Sequence, residues 1–298
     1  MGWTTDELVE SVKLRGGVPR TQVTFTTQRF LSLATEQLYS KIVSYIRRTQ
    51  SDILRITHSE PLAAAQSDVV IPTRAMAVKI ADVKLVIPEG RPKRLGRVEP
   101  EQASAYWDGT SQGEPRVFYL SGPILTVLPP PSDNTYTLQL PYYRRPSRLV
   151  PTTSCARITG IAGAILTVDA TPSGFLVAAL CDIVQSNPHF RILLQDSAIV
   201  AISATTIEFA SVPASVAIGD YVCLAQESCI PQIPAEFWPA LAQATVSAIM
   251  RTQNDFSGAS KSDEELDRLL DEAIDLISER DDGQPSEIVN LDSAFVTI

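Results

Sequence analysis

Residues 115–151, PRVFYLSGPILTVLPPPSDNTYTLQLPYYRRPSRLVP, constrain the fold more than any other stretch of the chain. Three short apolar or aromatic runs, at 116–120, 124–128 and 136–143, are separated by Ser121-Gly122-Pro123 and by Pro129-Pro130-Pro131-Ser132-Asp133-Asn134. Such runs between turn-forming residues predict a β-meander. Its last strand leaves through a basic, proline-bounded exit, Arg144-Arg145-Pro146-Ser147-Arg148. The stretch holds no cluster of acids, bases, nucleophiles or ligands, so it reads as framework.

A second region is also β-like. Between Cys155 and Glu227 charges are sparse, and Val, Ile, Ala and Thr dominate. Strand-like runs at 157–161, 165–168, 176–184, 191–195, 199–202, 206–209 and 221–226 are punctuated by Gly160-Ile161-Ala162-Gly163, Thr171-Pro172-Ser173-Gly174, Ser186-Asn187-Pro188 and Ile218-Gly219-Asp220. Many short strands at this spacing predict a small barrel or sandwich.

The flanks are helical. Thr4-x-x-Glu7 is a capping box, Leu8, Val9 and Val12 follow it, and Gly16-Gly17-Val18-Pro19 stops the helix. Phe30, Leu31, Ala34, Leu38, Ile42 and Ile46 keep helical spacing behind Thr26 or Thr27 as cap. Residues 51–57 and 83–87 read as extended, and Glu99-Pro100-Glu101 opens a short helix. Past Pro231 and Pro234, residues 241–250 are helical and set among small side chains (Ala240, Ala242, Ala244, Ser247, Ala248), which allows close helix approach. Ser262-x-x-Glu265 reads as a second capping box. Leu266, Leu269, Leu270, Ala273, Ile274 and Ile277 then mark an amphipathic helix that Gly283 and Pro285 end. Residues 286–298 remain as an extended, β-prone tail.

The expected architecture is therefore α+β. A helical bundle from both chain ends joins a β-meander (1–151 and 231–282), with an inserted all-β barrel or sandwich (152–230) and an extended tail (283–298).

Charge is unevenly placed. The chain of 298 residues has a formal net charge of −9. Residues 256–298 hold 12 Asp/Glu and 3 Lys/Arg, so that segment accounts for the whole imbalance. Free nucleic-acid binding is disfavoured by this total, whereas charge-complementary protein contacts are favoured. The polar face of the last helix, with Asp263, Glu264, Asp267, Asp271, Glu272 and Asp275, reads either as a solvated face or as an acidic wall toward a basic partner or a DNA passage. Such a wall repels phosphate and prevents sticking. Arg94 and Arg97 in a basic hairpin tip, and Tyr142-Tyr143-Arg144-Arg145, read as interface residues, the alternative being a nucleic-acid platform. The tail residues Ile288, Val289, Leu291, Phe295, Val296 and Ile298 cannot bury themselves, and such an end docks onto a partner or frays.

Catalytic chemistry is thin. Two histidines, His58 and His189, lie far apart, and no Walker loop, GxGxxG, GxSxG or HExxH occurs. No catalytic residue, cofactor or metal site is expected. Cys155, Cys181, Cys223 and Cys229 fall in one region without a CxxC and read as small buried residues in a reducing compartment, a Cys223–Cys229 disulfide being compatible. No apolar leader follows Met1, and the longest apolar run, 175–181, is far short of the roughly 20 residues of a membrane span. A soluble chain is expected.

The order of short motifs resembles the head-to-tail adaptor, or connector, proteins of tailed bacteriophages. They are Thr4-Thr5-Asp6-Glu7-Leu8-Val9 with Val12-Lys13, Phe25-Thr26 with residues 31–38, and Ile71-Pro72-Thr73-Arg74-Ala75 with Lys79-Ile80-Ala81-Asp82-Val83-Lys84. Pro115-Arg116-Val117-Phe118-Tyr119-Leu120, Tyr143-Arg144-Arg145-Pro146-Ser147-Arg148-Leu149-Val150, Gly219-Asp220-Tyr221-Val222-Cys223-Leu224 and Ile230-Pro231-Gln232-Ile233-Pro234 complete the series. The resemblance implies a non-catalytic homo-oligomeric ring, typically dodecameric, in the virion neck. Its expected partners are the portal protein, tail or neck proteins, and passing double-stranded DNA without sequence-specific binding, with no membrane. It also implies that a C-terminal segment attaches to the portal. The long β insertion departs from the smallest adaptors. Two other readings stay open: a β-rich virion module that grips a sugar or receptor, for which exposed aromatics among residues 155–227 would speak, and an enzyme, which would need an acid/base pair in a cleft.

Overall fold

The computed structural model describes residues 3–18, 25–49, 51–80, 82–87, 90–186 and 191–278. In chain order the helices α1 (Thr5–Arg15), α2 (Thr27–Gln37) and α3 (Val43–Thr49) come first, with a π-helical turn, Leu38–Ile42, joining α2 to α3. The strands β1 (Arg55–Pro61), β2 (Asp68–Val70), β3 (Ala75–Ile80), β4 (Lys84–Val86), β5 (Lys93–Arg94), β6 (Gly96–Arg97), β7 (Val117–Ser121), β8 (Ile124–Leu128) and β9 (Thr137–Arg144) follow. Next are β10 (Arg148–Leu149), β11 (Ala156–Ala162), β12 (Ile165–Val168), β13 (Leu180–Val184), β14 (Ile192–Ile202), β15 (Thr206–Phe209), β16 (Tyr221–Leu224) and β17 (Glu227–Ser228). The described chain ends in α4 (Trp238–Thr252) and α5 (Phe256–Ser278). Two compact units result: Ile46–Pro146, and Met1–Tyr45 together with Ser147–Ile298.

The unit Ile46–Pro146 is built on two sheets. One runs β1-β9-β4-β5 with β3 also on β9, and the other runs β2-β8-β7-β6. Alternation along β9 sends Leu138, Leu140 and Tyr142 into the core. There they share one apolar cluster with Val69, Leu85, Phe118, Leu125 and Val127. The expected meander is corrected here. β7 and β8 form a hairpin, but β9 pairs in the other sheet. The reason lies in Pro129-Pro130-Pro131, which offers no amide to continue the ladder beside β8, so the chain leaves that sheet. Residues 51–54, expected as extended, form a 3₁₀ turn before β1.

In the other unit, β11-β12-β15-β14-β13-β16 close into a barrel through the β11–β16 pairing. Closure removes both sheet edges. Ile158, Leu166, Cys181, Ile183, Ile199, Ile207, Phe209 and Val222 fill it. Gly163, at φ +62°, makes the tight turn between β11 and β12 that a side-chain-bearing residue would strain. Two expected strands are redrawn. Residues 176–179 are turn, with Ala178 at φ +67°, so β13 starts only at Leu180. The runs 191–195 and 199–202 are one strand, β14, bent where Asp196 adopts φ +49°.

The barrel is bracketed by its own entry and exit. β10 and β17 pair in parallel, so the chain enters and leaves side by side. Helices pin this bracket: the Thr5 amide donates to the Cys229 carbonyl at 2.8 Å, the Thr5 hydroxyl to the Val150 carbonyl at 2.7 Å, and the Leu149 amide to the Thr35 hydroxyl at 3.1 Å. α1 buries Leu8, Val9 and Val12, α2 buries Phe30, Leu31 and Ala34, and the π turn buries Leu38 and Ile42, as the spacing predicts. α4 touches α1, α2 and α5, and its Ala240, Ala242, Ala244 and Ser247 are buried where helices approach. Pro239 sits in its first turn, where no intrahelical amide is needed.

α5 begins earlier than expected. Asp255 caps it by accepting from the Gly258 amide at 2.8 Å, so Ser262 lies inside the helix and is no cap. Buried instead, its hydroxyl meets the Gln243 carbonyl and side-chain amide on α4. Among the described residues no helix is long and apolar enough to cross a membrane.

Candidate functional site

The acidic side chains of α5 divide into two groups. Asp263 and Asp271 face neighbouring helices. Asp263 accepts from Lys41 Nζ at 2.8 Å, from the Ser247 hydroxyl at 2.7 Å and from the Arg251 guanidinium. Burial alone would raise its carboxyl, but the Lys41 and Ser247 hydrogen bonds, the Lys41 charge and Arg251 outweigh it and hold the group below the ordinary carboxylate range. Asp271 accepts from the Tyr45 hydroxyl at 2.5 Å. That phenol is pushed up to about 12, first by burial, then by its bond to Asp271 and by the charges of Asp271, Asp267 and Asp275.

The rest of the set faces outward. Glu264, Asp267, Glu272 and Asp275 are exposed, and Asp271, one turn from both Asp267 and Asp275, is exposed as well despite its bond to Tyr45. Glu272 shares Arg268 with Glu265, one helical turn away on either side. The acidic helix thus spends Asp263 and Asp271 on holding its neighbours and presents Glu264, Asp267 and Asp275 as a negative stripe. The sequence pattern placed all six together and gave no sign of Lys41 or Tyr45, more than 200 residues away, or of Ser247 and Arg251 on the preceding helix, as partners.

The basic and aromatic set is not one surface. Tyr142 is only 2% exposed and packs within the core of its unit, and Arg144 is buried too, so neither is a surface anchor. Even-numbered residues of β9 point inward, which a run of four adjacent letters conceals. Tyr143 is half-buried, with the Arg47 guanidinium 5.7 Å from its ring centre, and Arg145 is exposed. Arg94 and Arg97 are exposed, and Arg94 pairs with Asp82 at 2.5 Å. The tail residues Ile288, Val289, Leu291, Phe295, Val296 and Ile298 lie outside the described residues, as does His189.

The barrel bears on the carbohydrate reading. Phe175 and Phe209 are buried inside it, while its exposed apolar side chains, among them Ile161, Ile165, Leu176, Val177 and Val200, are aliphatic. Tyr221 is half-buried and lines a cleft, so among the described residues one ring stays partly open, and Phe190 lies outside them.

One constellation escaped the sequence pattern. Cys155, Cys223 and Cys229 are buried with their sulfur atoms within 4.8 Å of one another. Burial pushes the Cys223 and Cys229 thiols up, whereas Cys155, accepting from both, is drawn down to about 5. Beside Cys155 a cleft of about 590 Å³ opens, lined also by Asp6, Thr152, Arg157, Asp169 and Tyr221. Separations of 68 and 6 residues carry no ligand signature, so only the register of β11 and β16 reveals the cluster.

No protein of curated function matches the chain. Residues 3–187 match the family described as SU10 adaptor protein, a span that takes in both sheets of the Ile46–Pro146 unit, helices α1 to α3 and the first strands of the barrel. The chain belongs to the SU10 adaptor protein family, a family of phage head-to-tail adaptors.

Proposed function

We propose that the chain assembles as a ring, dodecameric in the manner of related connectors, beneath the portal of a tailed phage, where it joins the DNA-filled capsid to the tail. Family membership over residues 3–187 is the observation that carries this reading. It implies a structural role in the virion and association with other phage structural proteins. No catalytic step is part of it.

Three surfaces receive roles in this proposal. The stripe of Glu264, Asp267 and Asp275 on α5 lines the DNA opening or a subunit boundary. Arg94, Arg97, Tyr143 and Arg145 meet neighbouring subunits. The segment 286–298, through Ile288, Val289, Leu291, Phe295, Val296 and Ile298, docks on the portal, because an apolar-rich, β-prone segment gains by adding to a partner.

The test is mass photometry of the purified chain, alone and mixed with its portal. A portal-dependent ring supports the adaptor assembly, and loss of attachment after deletion of residues 287–298 supports the tail's role. A monomer or small oligomer indifferent to the portal overturns the ring. Undiminished portal binding by the truncated chain overturns the docking role alone.

A further inference from the structure

Three thiols from three separate segments meet where the barrel joins its bracket. Cys155 directly precedes β11, Cys223 lies in β16, and Cys229 directly follows β17. Ala156 pairs with Val222, so the next antiparallel position sets Cys155 against Cys223. Cys229 is brought in by the bracket, its carbonyl held by the first amide of α1 at 2.8 Å. All three side chains are at most 6% exposed, and each sulfur lies within 4.8 Å of the others.

Packing alone does not require this convergence. Thiols are weak donors and weak acceptors, so three of them gain little from one another as neutral groups. As ligands they form a soft, preassembled set. A metal–sulfur bond of about 2.3 Å around one ion places sulfur atoms roughly 4 Å apart, a separation that small side-chain rotations reach from the observed cluster. Soft sulfur selects zinc or cuprous copper over the hard cations that carboxylates prefer. The cleft of about 590 Å³ reaches Cys155 alone of the three, giving an entry path from one side.

We propose that Cys155, Cys223 and Cys229 form a three-thiolate site for a thiophilic d¹⁰ cation, Zn²⁺ or Cu⁺, that clamps the base of the barrel to the start of α1. On binding, three metal–sulfur bonds form, each sulfur that still carries a proton gives it up to solvent through the cleft as its S–H bond breaks, and no oxidation state changes. Three sulfurs complete a trigonal Cu⁺. A tetrahedral Zn²⁺ takes its fourth ligand, a water or a small anion, from the cleft on the Cys155 side.

Cys181 is the internal control. It is also buried in β13, yet it stands outside the cluster. The full chain, purified under reducing and chelator-free conditions, is loaded with Zn²⁺ in one arm and Cu⁺ in another, freed of excess ion, and analysed for metal per chain by plasma mass spectrometry. Retention of one ion per chain is expected, in whichever arm identifies the cation. Cys223→Ala and Cys229→Ala should abolish retention and Cys181→Ala should preserve it. Substitution of Cd²⁺ should give a thiolate charge-transfer band in the ultraviolet.

Because the alanine variants remove core atoms, a second readout uses the unaltered chain. Titrating the loaded protein with a mercurial should release the ion as three thiols react. A folded wild-type chain that retains no ion in either arm overturns the proposal. So does retention that survives both Cys223→Ala and Cys229→Ala, ion release that follows Cys181 alone, or a Cys155–Cys223 disulfide found by mass in the unreduced protein.

Discussion

The Asp196 amide donates to Oδ1 of Asp182 at 2.9 Å, fastening the left-handed bend of β14 to a carboxylate sealed in the wall of the barrel. The other oxygen, Oδ2, accepts from the Gln226 amide at 3.2 Å, and Gln226 also has a positive φ, +67°. One buried side chain therefore satisfies the amides of two residues whose backbone conformations deny them ladder partners. Asp220 does the same at the opposite turns, accepting from the Ser186 and Ala217 amides, each at 2.9 Å.

Replacing Asp182 by alanine removes the shared acceptor of two amides, one in a half-buried and one in an exposed residue, so each loses about 0.5–1.5 kcal/mol, the net worth of a hydrogen bond. Asp182→Ala is predicted to destabilise the protein by about 1–3 kcal/mol. Gln226→Gly, which relieves the left-handed backbone while keeping the amide, should be neutral or mildly stabilising. Urea midpoints of the two variants check both statements.

Asp263 links stability to acid pH. Its folded-state carboxyl lies below the ordinary range, so its contribution is present above the unfolded value of 3.8 and is lost as pH falls through the folded value. Asp263→Asn should lower stability near neutral pH by roughly 1–2 kcal/mol, the scale of charge-assisted hydrogen bonds at a part-exposed site. The difference from the wild type should shrink on acidification below about pH 4. Thermal unfolding of both proteins across pH measures it, and a difference that stays constant with pH would remove Asp263 as the titrating group.

Tyr45 gives the opposite window. Its phenol is raised from 10.0 to about 12, so the folded state keeps the proton after the unfolded chain has lost it. Stability carried by the neutral phenol is full below pH 10 and declines as pH rises toward 12. Tyr45→Phe should cost about 0.5–1.5 kcal/mol at neutral pH, the net worth of one hydrogen bond, and should lose less on alkalinisation than the wild type. The difference in tyrosinate absorbance between wild type and Tyr45→Phe, recorded alongside urea unfolding, separates Tyr45 from the other tyrosines, among which Tyr221 is also raised by burial.

Much of this fold is written in local pattern. Phe30, Leu31, Ala34, Leu38 and Ile42 keep the helical period across the π turn, and all five are buried as that period demands. The barrel announces itself by short strands between turn residues. What stays hidden is pairing at a distance. Pro129-Pro130-Pro131 marks where the chain leaves β8, but strand propensity in 137–144 does not encode which edge β9 joins. Ser262-x-x-Glu265 has the letters of a capping box, but Asp255 satisfies the helix start a full two turns earlier. Tyr142 and Tyr143 look alike as letters and differ only through the alternation of β9. The Cys155, Cys223 and Cys229 cluster likewise exists only once β11 and β16 are in register.

The exposed stripe on α5 can be tested without removing either carboxylate bonded to a neighbouring helix, although Asp267 and Asp275 also act on the Tyr45 phenol through their charge. Glu264, Asp267 and Asp275 point to solvent, whereas Asp263 and Asp271 are engaged with Lys41 and Tyr45. Glu264→Lys, Asp267→Lys and Asp275→Lys together reverse the stripe while sparing those bonds. The triple variant should stay folded, with surface substitutions of this kind each within about 0.5 kcal/mol. If the stripe faces passing DNA, the variant ring should retain duplex fragments at low salt that the wild-type ring lets through. That retention should fall steeply as salt rises, since phosphate neutralisation releases counterions. If the stripe lies at a subunit boundary, the variant should fail to form rings at all in mass photometry. Rings that form normally and ignore DNA at low salt would place the stripe on the outer surface and end the channel role proposed for α5.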